Sequence, residues 1–390
     1  MALGGMHDQI GGGFHRYSVD AEWRVPHFEK MLYDQAQLTL AYLEAFQVTG
    51  EEFYLSVADT TLGYVLREMT DSEGGFYSAE DADSIPPELV GSSSPNKQEG
   101  AFYVWTSEEI DTLLTETSAL VGLRFDIRKE GNATHDPHDE FRRKNLLYVA
   151  RSVEEISIQA DRSLEEVNTA LLDARKKLFD ARSRRPRPHL DDKILASWNG
   201  LMIAALARAA RVVERGENHF TKKNTYLSAA RRAALFVQRR MWSEETGNLY
   251  RRYRCGEVGI DGYCEDYASL IWGLIELFQV DSDPNWLEWS LRLQRRQDEL
   301  FWDAAEGGWF STSGEDPTVL LRLKEEYDGA EPSANSISAM NVLMLWHFTG
   351  EQNFTEKLEC LLLRNEERLG EMARVVPHFM SVVSTCQAKF

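Results

Sequence analysis

Apolar residues recur along the chain with the spacing of amphipathic helices, and the predicted helices come in pairs. In the first pair, residues 27–48 have apolar side chains at helical spacing and end at Thr49-Gly50, a typical helix stop. Residues 53–69 supply the second helix, and the glycine-containing segment 71–75 then breaks the pattern. The pattern therefore predicts a helical hairpin.

The same plan returns along the rest of the chain. Further helix pairs are predicted at 193–213 with 226–242, 265–278 with 286–302, and 333–348 with 354–369. A Gly-Gly-aromatic turn accompanies the pairs, as Gly12-Gly13-Phe14, Gly74-Gly75-Phe76 and Gly307-Gly308-Trp309, with a looser copy at Gly247-Asn248-Leu249. Stacked helical hairpins bury a continuous core. We therefore predict an all-α fold, an (α/α)6 toroid forming a single domain over residues 1–390.

Two sections depart from this plan. Residues of about 84–150 form an expected insertion, in which 101–105 and 146–149 are rich in β-forming side chains and predict short strands. Thr106 or Ser107 is expected to cap the helix that follows the first strand. The first Gly-Gly turn has no complete helix before it, so we expect the toroid to be open at its N-terminal seam.

Composition narrows the possible partners and location. The net charge of -20 argues against a nucleic-acid partner and against an anionic membrane surface. No run of about 18 apolar residues and no signal peptide are visible in the sequence. The four cysteines form no C-x-x-C pair, which favours reduced thiols. We therefore expect a cytoplasmic protein.

Candidate chemistry is concentrated where helices are predicted to begin. The string from Pro26 to Asp34 places His27 and Glu29 in a first helical turn, where the helix dipole stabilises carboxylates. Lys30 and Asp34 are four residues apart and are expected to share a face. The alternative interpretation is a capped helix with a surface ion pair.

A second predicted helix start repeats this pattern of proline, histidine and acidic residues. His189 is followed by Asp191 and Asp192, and the helix continues through Trp198 and Asn199. Tryptophan offers a flat apolar face and asparagine a bidentate hydrogen-bonding group, both suited to a polyol. A buried Trp198 with Asn199 as a local cap is the open alternative.

Acidic residues mark three further positions. Adjacent Glu265 and Asp266 diverge by about 100° on a helix, so one can face a cleft while the other caps. Two acidic segments lie elsewhere, around Asp81 and around Glu331. We expect all of these helix starts to surround one cleft. Its catalytic candidates are His27, His189, Glu265 and Asp266, and its substrate-binding candidates are Glu29, Tyr33, Asp34, Asp81, Asp83, Asp191, Asp192, Trp198, Asn199, Tyr267, Glu331 and Asn335.

These residue types fit two reactions equally well. Glycoside hydrolysis needs two carboxylates that flank a bond, and epimerisation next to a carbonyl needs two opposed acid/base groups. We predict no cofactor and no metal. The segment His135-Asp136-Pro137-His138-Asp139 has metal-like spacing, but it reads as a polar loop that lacks further ligands.

Several motifs resemble one known family, the thioredoxin-domain proteins that include the spermatogenesis-associated thioredoxin-like proteins and their bacterial relatives. The matching segments are Gly4–Gln9, Val25–Gln35, Gly74–Asp83, Glu99–Trp105, Pro188–Leu201, Gly262–Tyr267 and Asp328–Ser336. The resemblance implies a thioredoxin-like domain followed by an (α/α)6 domain similar to six-hairpin glycosidases and N-acylglucosamine 2-epimerases. This chain is expected to begin inside the second part and to lack the first.

Two functions are therefore considered. The first is a carbohydrate-active or carbohydrate-binding toroid whose ligand is a sugar or polyol. The second is a non-catalytic scaffold that binds a protein, such as a redox partner. The residues alone leave both open, and they identify no specific protein partner.

Overall fold

Helices dominate the structure, a computed structural model that describes residues 1–93, 95–133, 136, 140–213 and 219–389. Two units divide these described residues. Unit 1 comprises Met1–Gln35, Asp59–Glu68 and Ala79–Asp191, and unit 2 comprises Ala36–Ala58, Met69–Ser78 and Asp192–Phe390. The single domain predicted over residues 1–390 stays a prediction.

The helices agree closely with the predicted pairs. In chain order they are α1 (Leu32–Thr49), α2 (Glu52–Glu68), α3 (Ser107–Leu114), α4 (Ser118–Phe125), α5 (Val153–Ala160), α6 (Leu164–Arg182), α7 (Ala196–Val212), α8 (His219–Arg240), α9 (Cys264–Asp281), α10 (Pro284–Phe301), α11 (Ala334–Thr349), α12 (Gln352–Met372) and α13 (Pro377–Lys389). Within the described part of the chain, none of them has the length and apolar character that a membrane crossing requires.

The strands are short and lie in small antiparallel sheets. They are β1 (Tyr17–Ser18), β2 (Pro26–His27), β3 (Lys30–Met31), β4 (Ala79–Glu80), β5 (Asp83–Ser84), β6 (Gln98–Glu99), β7 (Leu190–Asp191), β8 (Ile194–Leu195), β9 (Tyr250–Arg254) and β10 (Glu257–Asp261). In unit 1 the pairings are β1 with β2, β5 with β6, and β4 between β3 and β7. In unit 2, β9 lies between β8 and β10.

Each Gly-Gly-aromatic turn closes a small loop by the same backbone pairing. Single β-bridges join His7 to Phe14, Thr70 to Phe76, Trp242 to Leu249 and Trp302 to Trp309. In the first and last copies both glycines have positive φ, +79° and +79° at Gly12-Gly13 and +74° and +80° at Gly307-Gly308. Residues with a Cβ adopt this conformation at a cost, which explains the recurring glycine pair. The predicted repeat is confirmed.

A side-chain amide holds the aromatic residue of three of these turns. Gln35 accepts the Phe14 N–H (2.7 Å) and donates to the Phe14 carbonyl (2.7 Å). Asn199 does the same at Phe76 (2.8 and 3.0 Å), and Asn335 at Trp309 (2.8 and 2.9 Å). We call this arrangement the amide clamp. It ties each Gly-Gly-aromatic turn to the first turn of a helix.

In the looser fourth copy, a tyrosine replaces the amide. The hydroxyl of the buried Tyr267 accepts the Leu249 N–H (2.9 Å). The contacts of Asn199, Asn335 and Tyr267 thus favour a structural role for three residues that the sequence suggested as substrate contacts. Their backbone partners are buried or half-buried, so the amides and the hydroxyl satisfy groups that would otherwise lack a partner.

Helices α7 and α9 pack against each other at unusually short range within unit 2. A Cβ on Gly200 would lie 2.4 Å from the Ser269 carbonyl carbon, and a Cβ on Gly273 would lie 2.5 Å from the Gly200 carbonyl oxygen. Most residues of both helices are buried. A helix that is apolar on all sides belongs to the interior. These two helices therefore form the core of unit 2.

Two predicted helix starts are wrong. The backbone around His27 is extended because Pro26 and His27 pair with Ser18 and Tyr17, and Lys30 pairs with Glu80. Helix α1 begins only at Leu32. Likewise Leu190–Asp191 pairs with strand β4, and α7 begins at Ala196. Cross-strand hydrogen bonds use the backbone groups that a helix would need.

In the insertion, the segments predicted as strands differ from the prediction. Residues 101–105 and 146–149 were expected to form strands, but in the described part of the chain the ladder pairing there is reduced to a single bridge between Trp105 and Asn145. Asn132 replaces the missing ladder, since its amide accepts the Leu146 N–H (2.8 Å) and donates to the Leu146 carbonyl (2.9 Å). The cap at Thr106 is confirmed by a capping box with Glu109.

Candidate functional site

Unit 2 gathers polar side chains at the starts of three helices. Trp198 lies in the first turn of α7, Glu265 in the first turn of α9, and Glu331 just before α11. Arg251 on β9 joins them. We call Trp198, Arg251, Glu265 and Glu331 the acidic cluster. Three of these residues were predicted as site residues, and unit 2 brings them together.

Arg251 supplies the positive charge of the acidic cluster. Its Nη1 contacts Glu265 Oε1 and lies 3.0 Å from Asp266 Oδ2. Its guanidinium carbon lies 4.8 Å from the centre of the Tyr263 ring, a cation–π distance. Arg251 is thus paired with acidic side chains.

Asp266 caps the helix that carries Glu265. Its carboxylate accepts the N–H of Tyr263 (2.9 Å) and the N–H of Ser197 (3.1 Å), and the side chain is fully buried. Burial raises the pKa of Asp266 to about 6, against the opposing charge of Arg251. One of the two adjacent acids therefore caps, as expected. These contacts favour a structural role for Asp266 over its predicted catalytic role.

Glu331 is the residue of the acidic cluster best suited to exchange a proton. Burial and the charge of Glu265 raise its pKa to about 7, while the side-chain hydrogen bond from Trp198 and the charge of Arg251 oppose the rise. A carboxyl group with a pKa near neutrality can act as an acid or a base at physiological pH. The sequence suggested Glu331 only as a binding residue.

The raised pKa of Glu331 predicts a pH-dependent stability. The folded chain retains this proton where the unfolded chain loses it, so the contribution of Glu331 to stability is most favourable below pH 4.5 and falls as pH rises to about 7. Glu331→Gln removes the buried charge and should stabilise the chain by about 2 kcal/mol above pH 7, a discounted value because the side chain keeps some solvent contact.

Urea unfolding of the wild type and Glu331→Gln across this pH range measures the difference. The gain should vanish below pH 4.5, where both the folded and the unfolded wild type hold the proton. Glu299→Gln removes an exposed carboxylate from α10 and provides the control, which should show no such trend. A difference that is constant with pH would contradict the assignment.

Unit 1 places His27 between two carboxylates. Nδ1 lies 2.7 Å from Glu99 Oε1, and Nε2 lies 3.3 Å from Glu29 Oε2. The imidazole also stacks on Tyr17, with ring centres 4.8 Å apart. This geometry suits an acid/base residue, and the catalytic role of His27 stays a prediction.

Other predicted residues of unit 1 lie near His27 or are engaged elsewhere. Burial and the charges of Asp81 and Glu99 raise the pKa of Asp83, which also interacts with His27. Glu29 and Tyr33 both bind Arg16, at 2.8 and 3.2 Å. The other predicted residues are His189, which is exposed, Asp191 in strand β7, and Asp34 in α1.

Asp192 belongs to unit 2 and forms an ion pair. Its Oδ1 lies 2.6 Å from Arg254 Nε, and its Oδ2 accepts a weak hydrogen bond from the Cys255 thiol (3.7 Å). The sequence grouped Asp192 with Trp198 as a substrate contact. The ion pair favours a role in fixing the β9–β10 hairpin, whose tight turn contains Cys255.

Sequence reasoning did not select Arg251 or Glu99. Arg251 stood in a run of arginines that looked solvated, and Glu99 lay at the end of a polar loop. A signal existed for Glu99, which begins one of the matching segments of the family resemblance, whereas Arg251 lies outside all of them. Arg251 pairs with Glu265 and Glu99 pairs with His27, and these contacts depend on the register of strands β9 and β6, which no local pattern reveals.

The histidine-containing segment 135–139 lies outside the described residues except for Asp136. Asp136 accepts the N–H groups of Glu140 and Phe141, both at 2.8 Å. In the described part of the chain, no three histidine, cysteine or acidic side chains are grouped so as to hold a metal ion. The absence of a metal stays a prediction.

The family resemblance is confirmed by comparison with curated proteins. The chain is 42% identical to human spermatogenesis-associated protein 20 over 408 residues and 42% identical to the mouse protein over 410 residues. Each alignment covers 99% of this chain and 50% of the relative, so the chain spans about half the length of these relatives. No protein-family model matches the chain.

The predicted fold class is confirmed by two solved structures. Cellobiose 2-epimerase from Spirochaeta thermophila aligns with a TM-score of 0.54 and 10% identity over 94% of this chain and 66% of that protein. The enzyme from Bacillus thermoamylovorans aligns with a TM-score of 0.52 and 11% identity over 93% and 67%. Likeness at such low identity concerns the fold and leaves function to be argued from the site.

Proposed function

Because the chain is homologous to one half of spermatogenesis-associated protein 20 and shares its fold class with cellobiose 2-epimerases, we propose that the acidic cluster is a carbohydrate site. The observation that carries the proposal is the meeting of Trp198, Arg251, Glu265 and Glu331 at three helix starts of unit 2. The ligand class is a sugar or a sugar-like polyol.

The residue types support this ligand class. The indole of Trp198 offers an apolar face to a sugar ring, and its N–H hydrogen-bonds Glu331. Arg251 and Glu265 form a charged pair that offers both donors and acceptors to hydroxyl groups. Small-molecule sites usually combine aromatic and apolar walls with a few precisely placed polar groups.

Glu331 is the proposed acid/base residue. With a pKa of about 7 it can protonate a leaving oxygen or remove a proton next to a carbonyl. Glu265 would be the second carboxylate that glycoside hydrolysis needs. Epimerisation would instead need a second proton donor. The two reactions differ in the bond that breaks, and a deuterium experiment separates them.

The test incubates the full chain with neutral aldoses and disaccharides, including cellobiose, in D2O. Deuterium appearing at the carbon next to the carbonyl, with a new epimer by NMR, indicates epimerisation, and a new reducing end indicates hydrolysis. Glu331→Gln should reduce either rate by about 100-fold or more, the usual contribution of one acid/base residue. Glu299→Gln should leave the rate unchanged.

Binding is measured in parallel from the change in tryptophan emission when sugar is added. The same titration of Trp198→Phe shows how much of this change comes from Trp198. Binding without turnover would restrict the proposal to a carbohydrate-binding role. If the chain shows no binding and no turnover at millimolar sugar, the proposal is overturned in favour of the non-catalytic scaffold. Turnover that survives Glu331→Gln would overturn the role of Glu331.

A further inference from the structure

Unit 2 contains a cavity whose lining residues do not include the acidic cluster. The cavity has a volume of about 460 Å³ and lies among helices α1, α7, α9, α11 and α13. Volumes of roughly 300–1,000 Å³ are typical of small-molecule sites. We propose that this cavity binds a small neutral polyhydroxylated molecule against Trp272 and His378.

His378 supplies the observation that points to a ligand. Its Nε2 is buried and has no hydrogen-bond partner among the residues that the structure describes. The imidazole is tilted against Trp272, with ring centres 5.2 Å apart, and both side chains line the cavity. Buried polar atoms in folded proteins nearly always have a partner. A hydroxyl group in the cavity would satisfy this nitrogen.

The position of His378 is fixed by the fold. Its backbone N–H donates to Asp328 Oδ2 (2.8 Å), and Asp328 Oδ1 accepts the N–H of Ser333, the cap of α11 (2.9 Å). One carboxylate thus ties the first turn of α13 to the start of α11. Burial lowers the pKa of His378, so its ring is neutral at physiological pH. A neutral imidazole suits a hydroxyl group better than a charged ligand.

The charged side chains of the lining are paired with one another. Arg208 Nε lies 3.0 Å from Glu276 Oε2, and Arg208 Nη1 lies 3.1 Å from Glu44 Oε1. Arg211 Nη2 lies 3.2 Å from Glu276 Oε2. Two arginines therefore face two glutamates, and an ionic ligand would have to break an existing pair. This balance favours a neutral ligand.

The remaining lining is suited to a polyol. Trp272 provides a flat apolar wall beside Met340 and Met344. Asn341 donates to the Ala268 carbonyl (2.8 Å), which fixes the orientation of its amide. A polyol combines C–H faces with hydroxyl groups, so it matches an aromatic wall opposite fixed polar groups.

Isothermal titration of the full chain with sorbitol, myo-inositol and glucose tests the proposal, with glucose 6-phosphate and glucosamine as charged probes. We expect millimolar or tighter binding of at least one neutral probe. His378→Phe keeps the aromatic ring and removes Nε2, and it should weaken this binding by about tenfold or more. His378→Gln restores a polar group and should recover part of the affinity.

Variants of the acidic cluster separate this proposal from the proposed function. Trp198→Phe should leave binding at the cavity unchanged, while Trp272→Phe should weaken it. If Trp198→Phe loses binding of the neutral probe and Trp272→Phe retains it, the ligand lies in the acidic cluster and the inference is overturned. Binding of the charged probes alone, or of none, would overturn it as well.

A crystal of the wild type soaked in the tightest neutral probe answers the same question if the variants fail to fold. The expected result is a molecule over Trp272 within hydrogen-bond distance of His378 Nε2. A cavity that holds only water under these conditions would overturn the inference.

Discussion

Asp8→Asn is expected to destabilise the chain by about 3–5 kcal/mol, because it removes the only carboxylate that contacts two buried cations of unit 1 in the described residues. Asp8 Oδ2 lies 2.9 Å from Lys30 Nζ, and Asp8 binds Arg182 through both oxygens at 2.8 Å. All three side chains are nearly inaccessible to solvent. A buried charge that loses its partner keeps its desolvation cost without compensation.

The charge of Asp8 also predicts how this loss depends on pH. Burial opposes ionisation, but Arg182 and Lys30 outweigh it and hold the pKa of Asp8 well below its usual value. A depressed pKa stabilises the fold above the ordinary pKa of about 4, and the contribution fades as pH falls. The difference between the wild type and Asp8→Asn should therefore shrink in acid.

Urea unfolding followed by tryptophan emission measures the loss. Lys30→Met provides the matched control, since it removes one cation and leaves the bidentate pair of Asp8 with Arg182 intact. It should cost less than Asp8→Asn. An equal or greater loss in Lys30→Met would contradict the account, because it would place the energy in the lysine packing between the Tyr64 and Tyr103 rings.

Lys30 also shows why the sequence predicted the helical hairpins better than the side-chain contacts between distant residues. Its spacing from Asp34 suggested a surface ion pair on a helix, but the backbone at Lys30 is a strand and its side chain is 1% exposed. Helical periodicity is a property of neighbouring residues and can be read locally. The partner of Lys30 is 22 residues away, and no local pattern identifies it.

Three of the four residues of the acidic cluster were predictable for a related reason. Trp198 and Glu265 lie within a first helical turn and Glu331 lies two residues before the Ser333 cap, so each was found as a helix start. The same rule failed at His27 and His189, where short strands precede the helix. A strand of two residues carries no periodicity, and only its cross-strand partner defines it.

Asn199→Ala is the second change with a large expected effect, and it decides between a structural and a ligand-binding role for this residue. Asn199 is fully buried, and its amide holds the Phe76 N–H and carbonyl and the Leu195 carbonyl at 2.8–3.0 Å. Alanine removes the partner of the N–H and the carbonyl of Phe76, which is fully buried. We expect a loss of about 3 kcal/mol in the free energy of unfolding.

Asn335→Ala is the matched control because it removes the same amide clamp where the side chain is only half-buried. Because Asn335 itself is half-buried, water can take the place of its removed amide, so the loss should be clearly smaller. Urea unfolding midpoints of both variants, with sugar binding measured on each, test the assignment. If Asn199 were a substrate contact, Asn199→Ala would fold with the stability of the wild type and lose sugar binding. If Asn199 instead serves as an amide clamp, Asn199→Ala should lose much stability and Asn335→Ala should lose less.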